Sequence, residues 1–265
     1  MLIAQISDLH VMAPGARRTT AHDNNARLAA AVAHLNALEP RPDLVLITGD
    51  LVNGPKPGEY EALAEILEPL ALPYRIVPGN HDDRDGLRRT FGAAGWMPQD
   101  GDFIQYAVEE FPVRVLMLDS AVAGKAVGAL CERRLAWAAE RLAEQPARPT
   151  VVALHHPPFD TGLAFLDTLR CVEGADELGR LVRAHPNVLA VLCGHTHRQT
   201  AVNWNGAYGY VAPSIAYQIA LDLTPKPPYR WVDEPSAVAL HRVRPDVGLI
   251  THLSPIGDYP ARAFS

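Results

Sequence analysis

Cysteine is scarce in this chain. Three occur in 265 residues, Cys131, Cys171 and Cys193, and no two stand in Cys-x-x-Cys spacing. That excludes a disulfide framework and a thiolate zinc site. Basic charge is short too: 24 Lys and Arg face 30 Asp and Glu, a net charge of −6. A broad, sequence-independent nucleic-acid surface needs a basic face, so no nucleic-acid polymer is expected as partner. No run approaches the roughly 18 consecutive apolar residues of a membrane span. The opening MLIAQISDLH has neither the basic region nor the apolar stretch of a signal peptide. The expectation is a soluble, cytoplasmic protein without a membrane partner. What remains is ordinary for a globular chain, 48% hydrophobic and 20% charged, and long enough to fold without a cross-link. The one unusual count is histidine, at 11.

Short apolar runs punctuate the first 200 residues: Leu2–Ile6, Leu44–Thr48, Tyr74–Val77, Val113–Leu118, Val151–Leu154 and Val188–Leu192. Their lack of strict alternation predicts strands buried on both faces. Between them, apolar residues step by three and four, as in Leu28, Val32, Leu35 and Leu38, or Tyr60, Leu63, Leu67 and Leu70. Leu135, Ala138 and Leu142, then Leu178, Leu181 and Val182, continue the pattern. Such steps put them on one helix face. Alternating strands and helices predict an α/β layered fold. The rhythm ceases late, where Pro225, Pro227, Pro228, Pro235 and Pro245 crowd together. Proline at that density resists a regular helix. Residues 221–265 are therefore expected to be a lid or oligomer-contact segment of the same domain.

The polar residues follow the strands. Ser7-Asp8-Leu9-His10 follows the first run, Gly49-Asp50 the second and Gly79-Asn80-His81-Asp82 the third. His155-His156-Pro157-Pro158 and Gly194-His195-Thr196-His197 follow the fifth and sixth. Ligands of open α/β sheets bind beyond the carboxyl ends of the strands, so these side chains are expected to converge. Asp and neutral His are good ligands for Zn, Fe, Mn or Co, and an Asn oxygen is a weaker one. Asp-x-His and His-x-His place two side chains on one side of an extended segment. Two such clamps and a shared Asp suit a pair of ions. Each piece alone has a plain alternative: a helix cap at Asp8, a turn at Gly49-Asp50 or at Gly79-Asn80.

Together the blocks D-L-H, G-D, G-N-H-D, H-H-P-P and G-H-T-H resemble the five signatures of the calcineurin-like metallophosphoesterases. The resemblance covers about residues 1–215. It is nearest to the bacterial class III cyclic-nucleotide phosphodiesterases and the related glycerophosphodiesterases, through ISDLH, GDLVNGPKPGEYEAL and CGHTH. It implies a four-layer α/β/β/α sandwich of two mixed sheets flanked by helices, with residues 1–220 as the catalytic domain. It implies two divalent or mixed-valence metal ions, Fe, Zn, Mn or Co. Asp8, His10 and His197 would bind one, and Asn80, His155 and His195 the other. Asp50 would bridge them. His155 is preferred to His156 because the family ligand stands two residues before the proline.

The resemblance implies hydrolysis of a small phosphodiester, a glycerophosphodiester or a 3′,5′-cyclic nucleotide, by attack of metal-bound hydroxide. Asp50 and Asn80 would serve that chemistry as ligands, and His81 would sit beside the phosphate and donate a proton to the leaving oxygen. Asn53 stands where purple acid phosphatases carry a tyrosine ligand, which disfavours that subgroup. Arg17, His22 and Asn25 could line the pocket, Asn53 could support it, and Tyr217 could touch substrate. A phosphomonoesterase acting on a nucleotide or sugar phosphate is the second reading, and a scaffold without activity the third. The glycerophosphodiesterase branch also suggests a homodimer or higher homo-oligomer, with Tyr229, Trp231 and the apolar Ile219–Leu223 stretch at the contact. His22, His34, His185, His241 and His252 receive no role.

Overall fold

A computed structural model describes residues 1–16, 23–224, 230–260 and 262–263. Arg17, His22, Tyr229 and the prolines at 225, 227 and 228 lie outside the described residues. The first half runs β1 (Leu2–Ile6), α1 (Asn24–Ala37), β2 (Leu44–Ile47), α2 (Glu59–Leu67), β3 (Tyr74–Ile76) and α3 (Arg84–Phe91). Then come β4 (Tyr106–Val108), β5 (Arg114–Met117), β6 (Gly128–Ala129), α4 (Glu132–Glu144), β7 (Thr150–Ala153), α5 (Ala164–Asp167) and β8 (Cys171–Glu173). The chain continues through α6 (Ala175–Ala184), β9 (Val188–Cys193), β10 (Thr200–Trp204), β11 (Ala207–Val211) and β12 (Gln218–Ile219). It closes with β13 (Trp231–Val232), β14 (Ala237–Arg244) and β15 (Gly248–Pro255).

Two mixed sheets result, in the orders β15-β14-β1-β2-β3 and β10-β11-β9-β7-β5-β4. In the first, β1, β2 and β3 are parallel, and β14 runs antiparallel beside β1. In the second, β5, β7, β9 and β11 are parallel. Alternation along each strand divides its side chains between two cores. In β1, Ile3 enters the core between the sheets, whereas Ala4 and Ile6 face the layer containing Leu28, Val32, Leu35 and Leu63. In β9, Ala190 and Leu192 face inward, while Val191 and Cys193 pack with Ala138, Leu142, Leu178 and Val182. The expected α/β/β/α layering follows. Among the described residues no helix is long and apolar enough to cross a membrane.

The helices start where the sequence supplies caps. Asp23 accepts from Ala26 N–H at 3.1 Å and opens α1; Asp83 accepts from Gly86 N–H at 2.7 Å and opens α3. Sequence periodicity does not mark α3: only Leu87 and Phe91 of its apolar side chains are buried, and a glycine stands inside it.

The late segment also departs from expectation, because β14 and β15 pair over eight register positions and widen the first sheet. An antiparallel addition needs no helical crossover, so the strand–helix rhythm stops while the sheet continues. The prolines spare these strands: Pro235 precedes β14, and Pro245 sits in the turn before β15.

A polar link crosses the middle of the apolar seam. The Gln5 amide donates to Thr48 Oγ1 at 3.0 Å and, across the sheets, to the Cys193 carbonyl at 2.9 Å. His241 Nε2 donates to Gln5 Oε1 at 3.0 Å, and the Thr251 hydroxyl lies 2.8 Å from His241 Nδ1. Burial pushes the His241 imidazole down to about 3. In the unfolded chain it takes a proton near pH 6.5. Between those values the unfolded state binds more protons, so stability is lost as pH falls through that window. The loss is about 1.4 kcal/mol per pH unit from this one group. His241→Gln, which cannot titrate, should show a shallower fall in urea-unfolding free energy from pH 6.5 to 4 than the parent; equal slopes would remove His241 as a source.

Candidate metal centre

The loops after β1, β2, β3, β7 and β9 meet at one end of the two sheets, as the sequence predicts. They deliver two groups of buried side chains. Asp8, His10, Asp50 and His197 form one, with ligand atoms within 4.8 Å of one another; His155, His156 and His195 form the other. Asp50 joins them. Its Oδ2 lies 3.7 Å from His10 Nε2, and its Oδ1 lies 3.4 Å from His155 Nε2. Asn80 Oδ1 is 3.2 Å from the same His155 nitrogen, which brings Asn80 to the second group. On the other side, His197 Nε2 stands 3.3 Å from Asp8 Oδ1 and 3.0 Å from His10 Nε2.

The imidazoles are aimed by bonds on their far nitrogens. His155 Nδ1 donates to the Thr48 carbonyl at 2.7 Å, and His197 Nδ1 to the Tyr217 carbonyl at 3.0 Å. In its neutral form each ring keeps a lone pair on Nε2, pointing into the group. Burial drives His195 down to about 3 and His10 well below the ordinary range, so both are neutral. Burial also opposes charge on Asp50 and His155, but each favours the other's ionised form: Asp50 is held low and His155 is lifted to about 9.

These donors fit metal ions. Asp8 and Asp50 are buried carboxylates, 0% and 2% exposed, without a lysine or arginine partner among the described residues. His10 and His197 face each other nitrogen to nitrogen, and His195 Nε2 is buried without a partner. Groups left in that condition by the protein alone are costly.

The backbone is bent to make the arrangement. Six non-glycine residues have positive φ among those described, and Asp8, His10, Asp50, His195 and His197 are five of them. The left-handed region is disfavoured for such residues and is held where the surroundings over-determine it. Glycine makes room between them. A Cβ on Gly194 would overlap Ser7 Oγ, and one on Gly79 would overlap Asp50 Oδ1.

This centre has known counterparts. The family model for calcineurin-like phosphoesterases matches residues 1–199. The chain belongs to that family. It is therefore a phosphoester hydrolase whose His and Asp cluster serves divalent metals. A relative from Arcobacter nitrofigilis, named "Probable glycerophosphodiester phosphodiesterase GpdQ", is 34% identical over 98% of this chain and 94% of its own. The glycerophosphodiester phosphodiesterase GpdQ of Enterobacter lignolyticus is 35% identical over 91% of this chain and 87% of its own. The 3′,5′-cyclic adenosine monophosphate phosphodiesterase CpdA of Escherichia coli K12 is 31% identical over 82% and 76%. A dimetal phosphatase from Danio rerio shares the fold, with a TM-score of 0.72 and 16% identity over 97% and 99% of the two chains.

Other sequence candidates fall around the family's centre. His81 is half-buried; its Nδ1 donates to the Asn53 carbonyl at 2.8 Å, and its ring stands edge-on to His10 at 4.7 Å. Asn53 thus supports the site through its backbone. The Tyr217 ring stacks on His10 and lies tilted against His197, with centroids 5.7 and 4.5 Å away. Asn25 instead braces the chain after His10, through both hydrogen bonds of its amide to Met12. Sequence reading gave no role to Asp82 or Ser214. Asp82 accepts from Gly79 N–H at 2.8 Å, Leu51 N–H at 3.0 Å and Val52 N–H at 3.2 Å, locking the second and third loops together. Its place in G-N-H-D was the available signal. Ser214 Oγ donates to the Asp8 carbonyl at 2.9 Å, and no motif announces it.

Asp82→Ala leaves those N–H groups without an acceptor, each costing about 1–3 kcal/mol if it stays buried. The variant should lose about 2 kcal/mol or more in urea unfolding and bind metal less tightly in calorimetric titration; unchanged stability and affinity would show that the loops hold without it.

Proposed function

We propose that this chain is a dinuclear-metal phosphodiesterase acting on a small phosphodiester, either a glycerophosphodiester or a 3′,5′-cyclic nucleotide. The observation that carries the reading is the two-sided carboxylate of Asp50, one oxygen toward each histidine group. Asp8, His10 and His197 would hold one ion, Asn80, His155 and His195 the other, and Asp50 both. Fe, Zn, Mn and Co all suit these donors. When bound, the ions supply Lewis-acid charge for the phosphoryl oxygens and lower the pKa of water. The names of the relatives support the substrate class.

The chain's own residues set the rest. Two carboxylates and five neutral ligands leave a loaded centre positive, so a protein of net charge −6 still attracts an anion. His81 keeps its Nδ1 hydrogen on the Asn53 carbonyl, which leaves Nε2 as the atom that can face a leaving oxygen. A doubly protonated ring gives its Nε2 proton to the departing alkoxide. Its partial exposure lets substrate reach it.

Within the segment 221–265, where β14 and β15 belong to the first sheet, the described residues before β14 are left to serve as a lid or homo-oligomer contact. Leu221, Leu223 and Trp231 expose apolar surface, at 63%, 67% and 45%, around the short β12–β13 pair. Sedimentation of the intact protein as an active monomer would remove the oligomer contact.

Asp50→Ala should lose metal, by elemental analysis, and all turnover; full activity in it would sink the dinuclear reading. His81→Ala should retain metal and slow hydrolysis by about 10²–10⁴-fold; an unchanged rate on substrates with poor leaving groups would remove the proton donor. With manganese, bis-p-nitrophenyl phosphate should turn over faster than p-nitrophenyl phosphate, and the reverse order would favour a monoesterase. Glycerophosphoethanolamine against 3′,5′-cyclic AMP then separates the two diester classes.

A further inference from the structure

His156 follows the expected ligand His155 and is equally buried, at 0% exposure. Its ring meets both histidines assigned to the second ion. It stands edge-on to His155, with centroids 4.7 Å apart, and lies 4.6 Å from His195. A ring nitrogen of each of the three lies within 4.8 Å of the others. On the opposite side there is no slack: a Cβ on Gly128 would overlap the His156 ring.

The hydrogen bonds distinguish the two neighbours chemically. His155 donates through Nδ1, so its neutral ring offers a lone pair at Nε2. His156 is wired in reverse. Ser120 Oγ accepts the His156 backbone N–H at 3.1 Å, and Nδ1 lies 2.9 Å from the same oxygen. One of the two lone pairs of that hydroxyl takes the backbone N–H, and its hydrogen is free to go to Nδ1. In that arrangement the neutral ring carries its own hydrogen on Nε2. A nitrogen holding a hydrogen cannot coordinate an ion.

Ser120 begins the loop whose residues Ala121–Gly124 wall a cavity of about 320 Å³ beside Asn80. One ring therefore touches the two histidines and, through Ser120, holds the start of that wall.

We propose that His156 is a positioning residue for the second metal site: clamped by Ser120, its ring sets the planes of His155 and His195 without binding the ion. The proposal rests on the dinuclear reading above. Residues that orient ligands in this way typically govern affinity by about 10–100-fold.

The test is titration of chelator-stripped, full-length protein with cobalt(II), by calorimetry and visible absorption. Wild type should bind in two steps. A single step would overturn the dinuclear reading and this proposal with it, an outcome read on wild type alone. In His156→Ala the second step should weaken by about 10–100-fold, with its cobalt band altered and the first step within about twofold of wild type. Ser120→Ala keeps the ring but frees it, and should weaken the same step by a smaller factor. If His156→Ala does not fold, Ser120→Ala decides alone, and an unchanged second step in it overturns the proposal. Equal weakening of both steps overturns it as general damage. Loss of the second step in His156→Ala but not in His155→Ala also overturns it, because His156 is then the ligand.

Discussion

Everything at the centre depends on one carboxylate being shared. Asp50 sits where the loops of the first sheet meet the histidines of the second, with one oxygen toward His10 and the other toward His155. Its surroundings fix it from behind: the His81 backbone N–H donates to Oδ1 at 2.9 Å, and the N–H groups of Leu9 and His10 bind its own carbonyl at 2.8 and 3.0 Å. A buried carboxylate is tolerable only when its charge is answered. Here the answer is divided between two histidine groups, so the electrostatics of one half of the site constrain the other.

The two sheets contribute unlike chemistry to that shared point. The first sheet's loops bring both carboxylates, the amide of Asn80 and one imidazole. The second sheet's loops bring imidazoles only. The join between them is largely apolar, and the Gln5 link that crosses it ties the Cys193 carbonyl, one residue before the Gly-His-Thr-His turn, to β1, two residues before the Asp8 loop's Ser7. The registration of the layers and the convergence of the ligands are thus one problem solved by one set of contacts.

Much of this could be read from the amino acids. Six apolar runs located β1, β2, β3, β5, β7 and β9, because strands buried on both faces have no polar face to blur the pattern. The residues just beyond five of them made the site, since parallel strands must all point their carboxyl ends the same way. Edge elements escaped. β10 and β11 carry alternating or glycine-broken sequence, β14 and β15 are half exposed, and α3 owes its position to a cap and two buried side chains. Long-range bonds to carbonyls, such as Tyr217 to His197 and Thr48 to His155, escaped for a different reason: any residue type could provide them. His155 and His156 differ in such bonds too, to the Thr48 carbonyl and to Ser120, where the sequence offered only the spacing to the proline.

The left-handed residues have a consequence for any attempt to make this protein more robust. Strained positions are commonly relieved by glycine, and the turn Asn205-Gly206 shows how comfortably asparagine and glycine take such a backbone. At Asp8, His10, Asp50, His195 and His197 that remedy is closed, because the side chain that strains the backbone is one of those gathered at the centre. Cost and purpose occupy the same five residues. Extra stability has to come from elsewhere, from the apolar layers or the outer helices, and variants that relax these turns become easier folds without a centre.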